Sequence, residues 1–335
     1  MAQLGRGDAA GPRRAWKGAA QPLPAAPRPA GPRRGSALAT ALGLILALAW
    51  ASGLAPREAS AQNGKPPDLN AEAVLLLDSG GRVLFAKNAD DDHAPASLVK
   101  LMTLYIAYED VEAGRAAWDE PVTVSAKAAA TPAYRLGLRT GETVPLSLLL
   151  EGVAIVSAND AAMAVAERLN GDEQEFVARM NAKARQLGLT ATQFANPHGL
   201  PDPSQRSTAK DLATLTASLL ERFPEVRTLL GAKSFTYRRR VYVRRNPLLR
   251  DPWGVQALKT GFTREAGYNL AVAAWHHGQH FLAILLGAKS RGLSFLDAQK
   301  LLRYGFVQGG LEPAAKERRP PPRRSGTRRP ASPPS

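Results

Sequence analysis

Residues 95–103 read Pro95-Ala96-Ser97-Leu98-Val99-Lys100-Leu101-Met102-Thr103, which sets one lysine into an apolar run three residues after a serine. On a helix, residues three apart share a face, so Ser97 and Lys100 project together. Among Leu98, Val99, Leu101 and Met102, desolvation disfavours the ammonium form of Lys100. A lysine kept neutral near pH 7 takes a proton from a neighbouring hydroxyl, which makes Ser97 a candidate nucleophile and Lys100 its base. A serine at a helix start also has backbone N–H groups and the positive end of the dipole aimed at any oxyanion formed there. The Ser-x-x-Lys pattern alone is cheap. Ser207-Thr208-Ala209-Lys210 fits it too, but there Ser207 or Thr208 reads as the N-cap of the helix that follows.

Working outward, residues 71–90 give two short β-rich runs joined by Asp78-Ser79-Gly80-Gly81, a hairpin signal. The lysine-bearing segment continues as a helix with apolar residues spaced at three and four, and Gly114 stops it. From about Val124 to Glu221 the pattern is mostly helical, broken by Asn196-Pro-His-Gly-Leu-Pro-Asp-Pro203. Three strands follow, over 254–261, 266–277 and 279–289, the last two joined at His277-Gly278-Gln279, and an amphipathic helix over 293–306 closes the domain. Strands, a helical block, strands and a helix predict an α/β chain of the α+β kind. An antiparallel sheet assembled from both ends of the chain is flanked by helices, with an inserted helical lobe. The junction of lobe and sheet is then the expected cleft.

Two further motifs lie downstream. Ser157-Ala158-Asn159 places a hydroxyl and an amide at the end of an apolar helical run. Lys259-Thr260-Gly261 lies on a predicted strand, where the glycine allows close backbone approach and the lysine and threonine supply a charge and a hydroxyl. The three motifs in this order resemble the serine acyl-transferases of the penicillin-binding family, whose signatures are S-x-x-K, [SY]-x-N and K-T-G. More closely, the stretches "SANDAA", "LGLTATQFANPHGLPD", "RNPLLR" and "LKTGFTREAGYNLAVAA" resemble the low-molecular-mass, serine-type D-alanyl-D-alanine carboxypeptidases, over about Pro67 to Gly309.

The resemblance implies the penicillin-binding, β-lactamase-like transpeptidase fold and removal of the terminal D-alanine from peptidoglycan stem pentapeptides through an acyl-enzyme on Ser97, with acylation by β-lactams. By the same carry-over Lys100 is the base, and Ser157 with Lys259 passes the proton to the leaving amine. Asn159 orients the substrate amide and helps position Lys100, while Thr260 and Lys259 of the Lys259-Thr260-Gly261 strand hold the substrate carboxylate. The backbone N–H groups of Ser97 and Phe262 form the oxyanion hole. Phe262 departs from the histidine frequent at that place in relatives, which alters packing and leaves the backbone group in place. Arg291 reads equally as an added charge for the carboxylate and as a surface arginine. No cofactor is expected and no metal. His276, His277 and His280 fall on two strands around a turn, where an i, i+4 pair does not converge. His198 reads as structural, and Tyr237–Asn246 as an exposed, arginine-rich hairpin whose charges discourage edge pairing. A DD-endopeptidase of the same family uses the same machinery. A β-lactamase needs a carboxylate-activated water for which no glutamate loop is evident, and a non-catalytic polyanion-binding exported protein explains the charge but not the three motifs.

The net charge of +15 is carried mostly at the ends. Residues 1–35 hold seven Lys/Arg and one Asp, and residues 312–335 hold seven against two Glu, leaving about +4 between them. Such composition gives no nucleic-acid signal for the domain. The basic tail, 311–335, reads as disordered and suits weak association with anionic membrane or wall surfaces. Residues 1–61 form a basic leader whose apolar run, Gly35–Ala55, precedes Ala59-Ser60-Ala61, so that cleavage after Ala61 and retention as an N-terminal anchor are both open. Export to the periplasm follows either way, and residues 62–310 are the expected catalytic domain. The β-rich domain and terminal membrane helix with which many relatives continue are not expected here. With no cysteine, disulfides and thiolate chemistry are excluded.

Overall fold

The β-rich runs at the two ends of the domain pair with each other, as their alternation and turn residues require. A computed structural model describes residues 65–244, 246–250 and 254–311. The expected leader, its cleavage point and all of the basic tail after Leu311 lie outside the described residues. In chain order come β1 (Ala73–Leu77), β2 (Val83–Lys87), α1 (Lys100–Glu112), β3 (Pro121–Thr123), α2 (Ala126–Ala130), β4 (Thr143–Pro145), α3 (Leu146–Glu151), α4 (Asn159–Asn170) and α5 (Glu173–Gln186). Then follow α6 (Ala209–Arg222), α7 (Val226–Gly231), β5 (Ser234–Tyr237), β6 (Arg240–Val243), β7 (Val255–Thr263), β8 (Gly267–His276), β9 (Gln279–Ala288) and α8 (Arg291–Gln308).

One five-stranded antiparallel sheet runs β2-β1-β9-β8-β7, so the strands from the start of the domain sit beside those from its end. Period-2 alternation sorts its side chains into two cores. Leu75, Ala271, Ala273, Leu282, Ile284 and Leu286 face the helical lobe. Val74, Leu76, Leu270, Val272, Phe281 and Leu285 face Phe295, Leu301, Leu302 and Phe306 of α8. Because both faces are covered, β8 and β9 read as almost continuous apolar runs rather than clean alternations. The lobe is centred on α1, buried nearly all round, which is why its sequence is apolar on every face.

The expected sheet, lobe and closing helix are all present. The helical reading of 124–221 misses β4, which pairs with β3 as a two-stranded ribbon. Runs of three residues are too short to carry a period. The 237–246 segment is a hairpin, β5 with β6, but it is exposed only in part. Tyr237 and Asn246 are buried, and Arg244 turns inward. Among the described residues no helix is long and apolar enough to cross a membrane.

Candidate active site

Ser97 sits in a single 3-10 turn, Ala96–Val99, that feeds into α1, and Lys100 is the first residue of that helix. Ala96 enters the turn with φ of +48°, a conformation that costs a non-glycine residue energy, immediately before the serine. The Lys100 amine is fully buried. It donates to Ser97 Oγ at 3.1 Å, to Asn159 Oδ1 at 2.7 Å and to the backbone carbonyl of His198. Burial pulls its pKa from 10.5 down to about 7, with the Asp160 carboxylate pulling the other way. The lone pair of a neutral Lys100 therefore lies within hydrogen-bond reach of the serine hydroxyl, as the spacing predicted.

Ser157 and Asn159 reach the site through an irregular turn. After α3 the chain widens into one π-helical turn, Gly152–Val156, and Ser157 ends it in the left-handed region at φ 62°. Such bulges re-aim the residue that follows them. Asn159 then opens α4, its amide nitrogen donating to Pro132 O at 2.8 Å while its oxygen accepts the hydrogen bond from the Lys100 amine. Asp160 accepts from the backbone of Leu136, Gly137 and Leu138 at 2.9–3.1 Å, which pins the neighbouring loop to the start of α4.

On the edge strand β7, Lys259 is also fully buried and donates to Ser157 Oγ at 2.8 Å. Burial first, then the cations Lys100 and Arg244, holds its pKa well below 10.5. Thr260 is half-buried at the cleft, and Gly261 passes so close to the serine turn that a Cβ there would lie 3.0 Å from Ser97 N. Phe262 is 37% exposed and meets the Tyr268 ring at a tilt, centroids 4.3 Å apart, which gives the cleft an apolar lip. Arg291 also lines the cleft, over the ring of Phe295. The cleft encloses about 430 Å³ and brings together Ser97, Ser157, Lys259, Thr260, Gly261 and Phe262, with Lys100 and Asn159 directly behind. Its lining includes Lys259, Arg244 and Arg291 and no carboxylate among the described residues, so it suits an anionic ligand.

Two contributors escape sequence reasoning. Arg244, hidden in an arginine run, points its guanidinium at the carbonyls of Ala154 and Ile155 in the π turn, of Leu230 at the end of α7, and of Leu258 beside Lys259. It thus ties the Ser157 segment to the Lys259 strand, and burial brings its pKa down to about 10. His198 enters through its backbone oxygen. Its ring is buried and held neutral, with a pKa down to about 3 from burial and from the cations Lys100 and Lys127. What lets this turn close on the serine is Gly199, at φ +85°, whose missing Cβ would fall 2.1 Å from Ala96 O.

The remaining candidates separate from the site. Thr208, not Ser207, caps α6, and Lys210 pairs with Asp90 at the surface. His280 stacks on Trp275, and His276 meets His277 edge-on. Among the described residues no group of three or more His, Asp or Glu is placed to hold a metal ion.

Comparison with known proteins gives a concordant result. The family model described as D-alanyl-D-alanine carboxypeptidase matches residues 60–290. Escherichia coli D-alanyl-D-alanine carboxypeptidase DacC is 38% identical over 256 residues, covering 74% of this chain and 64% of that protein. Bacillus subtilis DacF is 33% identical over 271 residues, covering 78% and 69%. The chain thus spans somewhat under two thirds of DacC. Penicillin binding protein 5 from Haemophilus influenzae superposes with a TM-score of 0.71 at 33% identity, covering 73% of each chain. Penicillin-binding protein D2 from Listeria monocytogenes, solved in an ampicillin-bound form, gives 0.67 at 33% identity, covering 72% of this chain and 100% of that one. Motifs, fold and relatives agree, and the chain belongs to the D-alanyl-D-alanine carboxypeptidase family of low-molecular-mass penicillin-binding proteins.

Proposed function

We propose that this protein is a serine D-alanyl-D-alanine carboxypeptidase acting on peptidoglycan stem peptides and acylated by β-lactams. The observation that carries the reading is the convergence of two hydroxyl–amine pairs, Ser97 with Lys100 and Ser157 with Lys259, on one cationic cleft. Neutral Lys100 takes the Ser97 proton as Oγ attacks the carbonyl between the terminal D-alanines. The oxyanion is held by the backbone N–H groups of Ser97 and Phe262. As the C–N bond breaks, Ser157, fed by Lys259, gives a proton to the leaving amine, and D-alanine departs. Water then attacks the Ser97 ester, its proton passing through Ser157 to Lys259 while Lys100 returns its proton to Ser97 Oγ, so the shortened peptide acid leaves with both lysines and the hydroxyl restored. Asn159 aligns the substrate amide, and Thr260 presents a hydroxyl to the terminal carboxylate with Lys259 behind it.

Residues 62–310 are the catalytic domain in this reading, supported by a family match over 60–290. A wall substrate fits export of the chain, whether its leader is removed or kept as an anchor, and the basic tail adds a weak hold on anionic surfaces. The absence of a carboxylate from the described cleft lining supports slow release of a bound β-lactam rather than β-lactamase turnover. Incubation with an N-acylated peptide ending in D-Ala-D-Ala should release D-alanine, and Ser97→Ala should release none. A folded wild-type preparation that releases none overturns the proposal.

A further inference from the structure

Tyr134 lies on the loop between α2 and β4 and is 60% exposed. Ala133 and Tyr134 are successive non-glycine residues in the left-handed region, at φ 54° and 28°, where a Cβ crowds the backbone. Strain of this kind persists only where the surroundings over-determine it. Asn159 supplies that hold on both sides of the pair, its side-chain amide donating to Pro132 O at 2.8 Å and its backbone N–H to Tyr134 O at 2.7 Å. Further along, Asp160 accepts from the backbone of Leu136, Gly137 and Leu138, and the Tyr242 hydroxyl donates to Leu136 O at 3.0 Å.

The backbone is thus fixed, and the Tyr134 side chain is what remains unused by the fold. Among the described residues its hydroxyl has no hydrogen-bond partner and its ring packs on no other aromatic ring. The ring lines the active-site cleft, the same cavity that holds Ser97, Ser157 and Lys259. Half-buried Val156 and exposed Val243 line that cavity as well, so part of its wall is apolar beside the cations Lys259 and Arg244. An exposed ring at a cleft gains hydrophobic free energy only when a ligand covers it. A carboxylate goes to the cations, which leaves this wall for an uncharged part of the same ligand.

We propose that Tyr134 is a specificity-determining residue, whose ring packs on the aliphatic side chain of the peptide residue just upstream of D-Ala-D-Ala. This rests on the carboxypeptidase reading for the identity of the peptide and for its direction in the cleft. In that reading the terminal carboxylate goes to Thr260 and Lys259, while Asn159 aligns the upstream amide. Asn159 is also the residue bonded to the backbone on both sides of the ring-bearing pair, so Tyr134 stands beside the upstream part of the peptide rather than the leaving D-alanine. The strained loop then serves substrate choice, holding the ring at the cleft before the peptide arrives.

The test uses the full chain with its Tyr134→Gly and Tyr134→Phe variants, and two substrates, N-acetyl-norleucyl-D-Ala-D-Ala and N-acetyl-glycyl-D-Ala-D-Ala. The wild type should have the higher kcat/KM on the norleucyl peptide. Tyr134→Gly should lose about tenfold on that peptide and less than about twofold on the glycyl one. Because glycine accepts a positive φ, the melting temperature of this variant should hold or rise. A lower melting temperature with equal losses on both peptides marks a structural residue and overturns the proposal. Tyr134→Phe keeps the ring and should keep the preference; its loss there would assign the effect to the hydroxyl and overturn the ring contact. Titration of Ser97→Ala protein with the two peptides, with and without Tyr134→Gly, reads the contact without turnover. If the binding preference is present and lost on Tyr134→Gly while the wild type releases no D-alanine, the carboxypeptidase reading fails and the contact stands. If D-alanine is released and Tyr134→Gly leaves the preference unmoved, the contact fails and the carboxypeptidase reading stands.

Discussion

Replacing Asn159 by aspartate changes one atom type at the place that matters most to Lys100. The Asn159 oxygen lies 2.7 Å from the Lys100 amine, so the variant puts a carboxylate at contact distance without altering side-chain volume. An opposite charge within a few ångströms raises an amine pKa by about one to three. With Lys100 at about 7, half of it is neutral at pH 7. At a pKa between 8 and 10 the neutral fraction drops to between about 9% and 0.1%, so acylation at pH 7 should fall by about 5- to 500-fold. Part of the rate should then return as pH climbs toward 10 and the base is deprotonated, with a plateau lowered by the loss of the amide donor to Pro132 O. Asn159→Ala serves as the control. It should be slow at every pH, without an alkaline displacement of the midpoint. The assay is the second-order rate of labelling by a fluorescent penicillin from pH 5.5 to 10, with a melt at each pH to confirm folding. The reasoning is refuted if the wild-type rate is flat through pH 7, or if the aspartate variant slows evenly with its midpoint unmoved.

Three other perturbations have worked outcomes. His198 is held neutral, its pKa down to about 3 against 6.5 for an ordinary ring. Between those values the unfolded chain binds a proton that the folded chain refuses, so stability present above pH 6.5 is lost as pH falls, by up to about 5 kcal/mol. His198→Gln should flatten that acid limb in denaturant titrations. Gly199→Ala forces a Cβ to 2.1 Å from Ala96 O at φ +85°, and should cost at least about 3 kcal/mol in chemical denaturation and most of the acylation rate. Arg244→Gln strips donors from carbonyls on three segments and should lower stability by about 2 to 4 kcal/mol. Arg244→Lys keeps the charge beside Lys259 but not the fork. It should therefore lose stability in the same melt while keeping the pH midpoint of acylation.

The parts of the site that lie close along the chain were legible, and those assembled across it were not. Ser97 and Lys100 are one turn apart, so the apolar setting of the lysine already implied both its partner and its depressed pKa. Ser157, Asn159 and the Lys259–Gly261 strand were placed by their order, and the edge position of β7 makes that order work in space. The third acceptor for Lys100 is a backbone oxygen 98 residues away, which leaves no mark in side-chain chemistry. Arg244 is invisible for a related reason. Arginine runs read as solvated, and the carbonyls that draw this one inward come from three other segments, the π turn some 90 residues earlier, the end of α7 and β7. The three-residue strands β3 and β4 were missed because they are shorter than the period that would reveal them.

The central claim is that a single hydroxyl, that of Ser97, forms the acyl bond. Mass analysis of the full chain after exposure to benzylpenicillin, followed by peptide mapping, tests it most directly. One adduct per chain, confined to the peptide containing Ser97 and missing from Ser97→Ala, is the expected result. An adduct on another residue, or equal labelling of the Ser97→Ala protein, would contradict it.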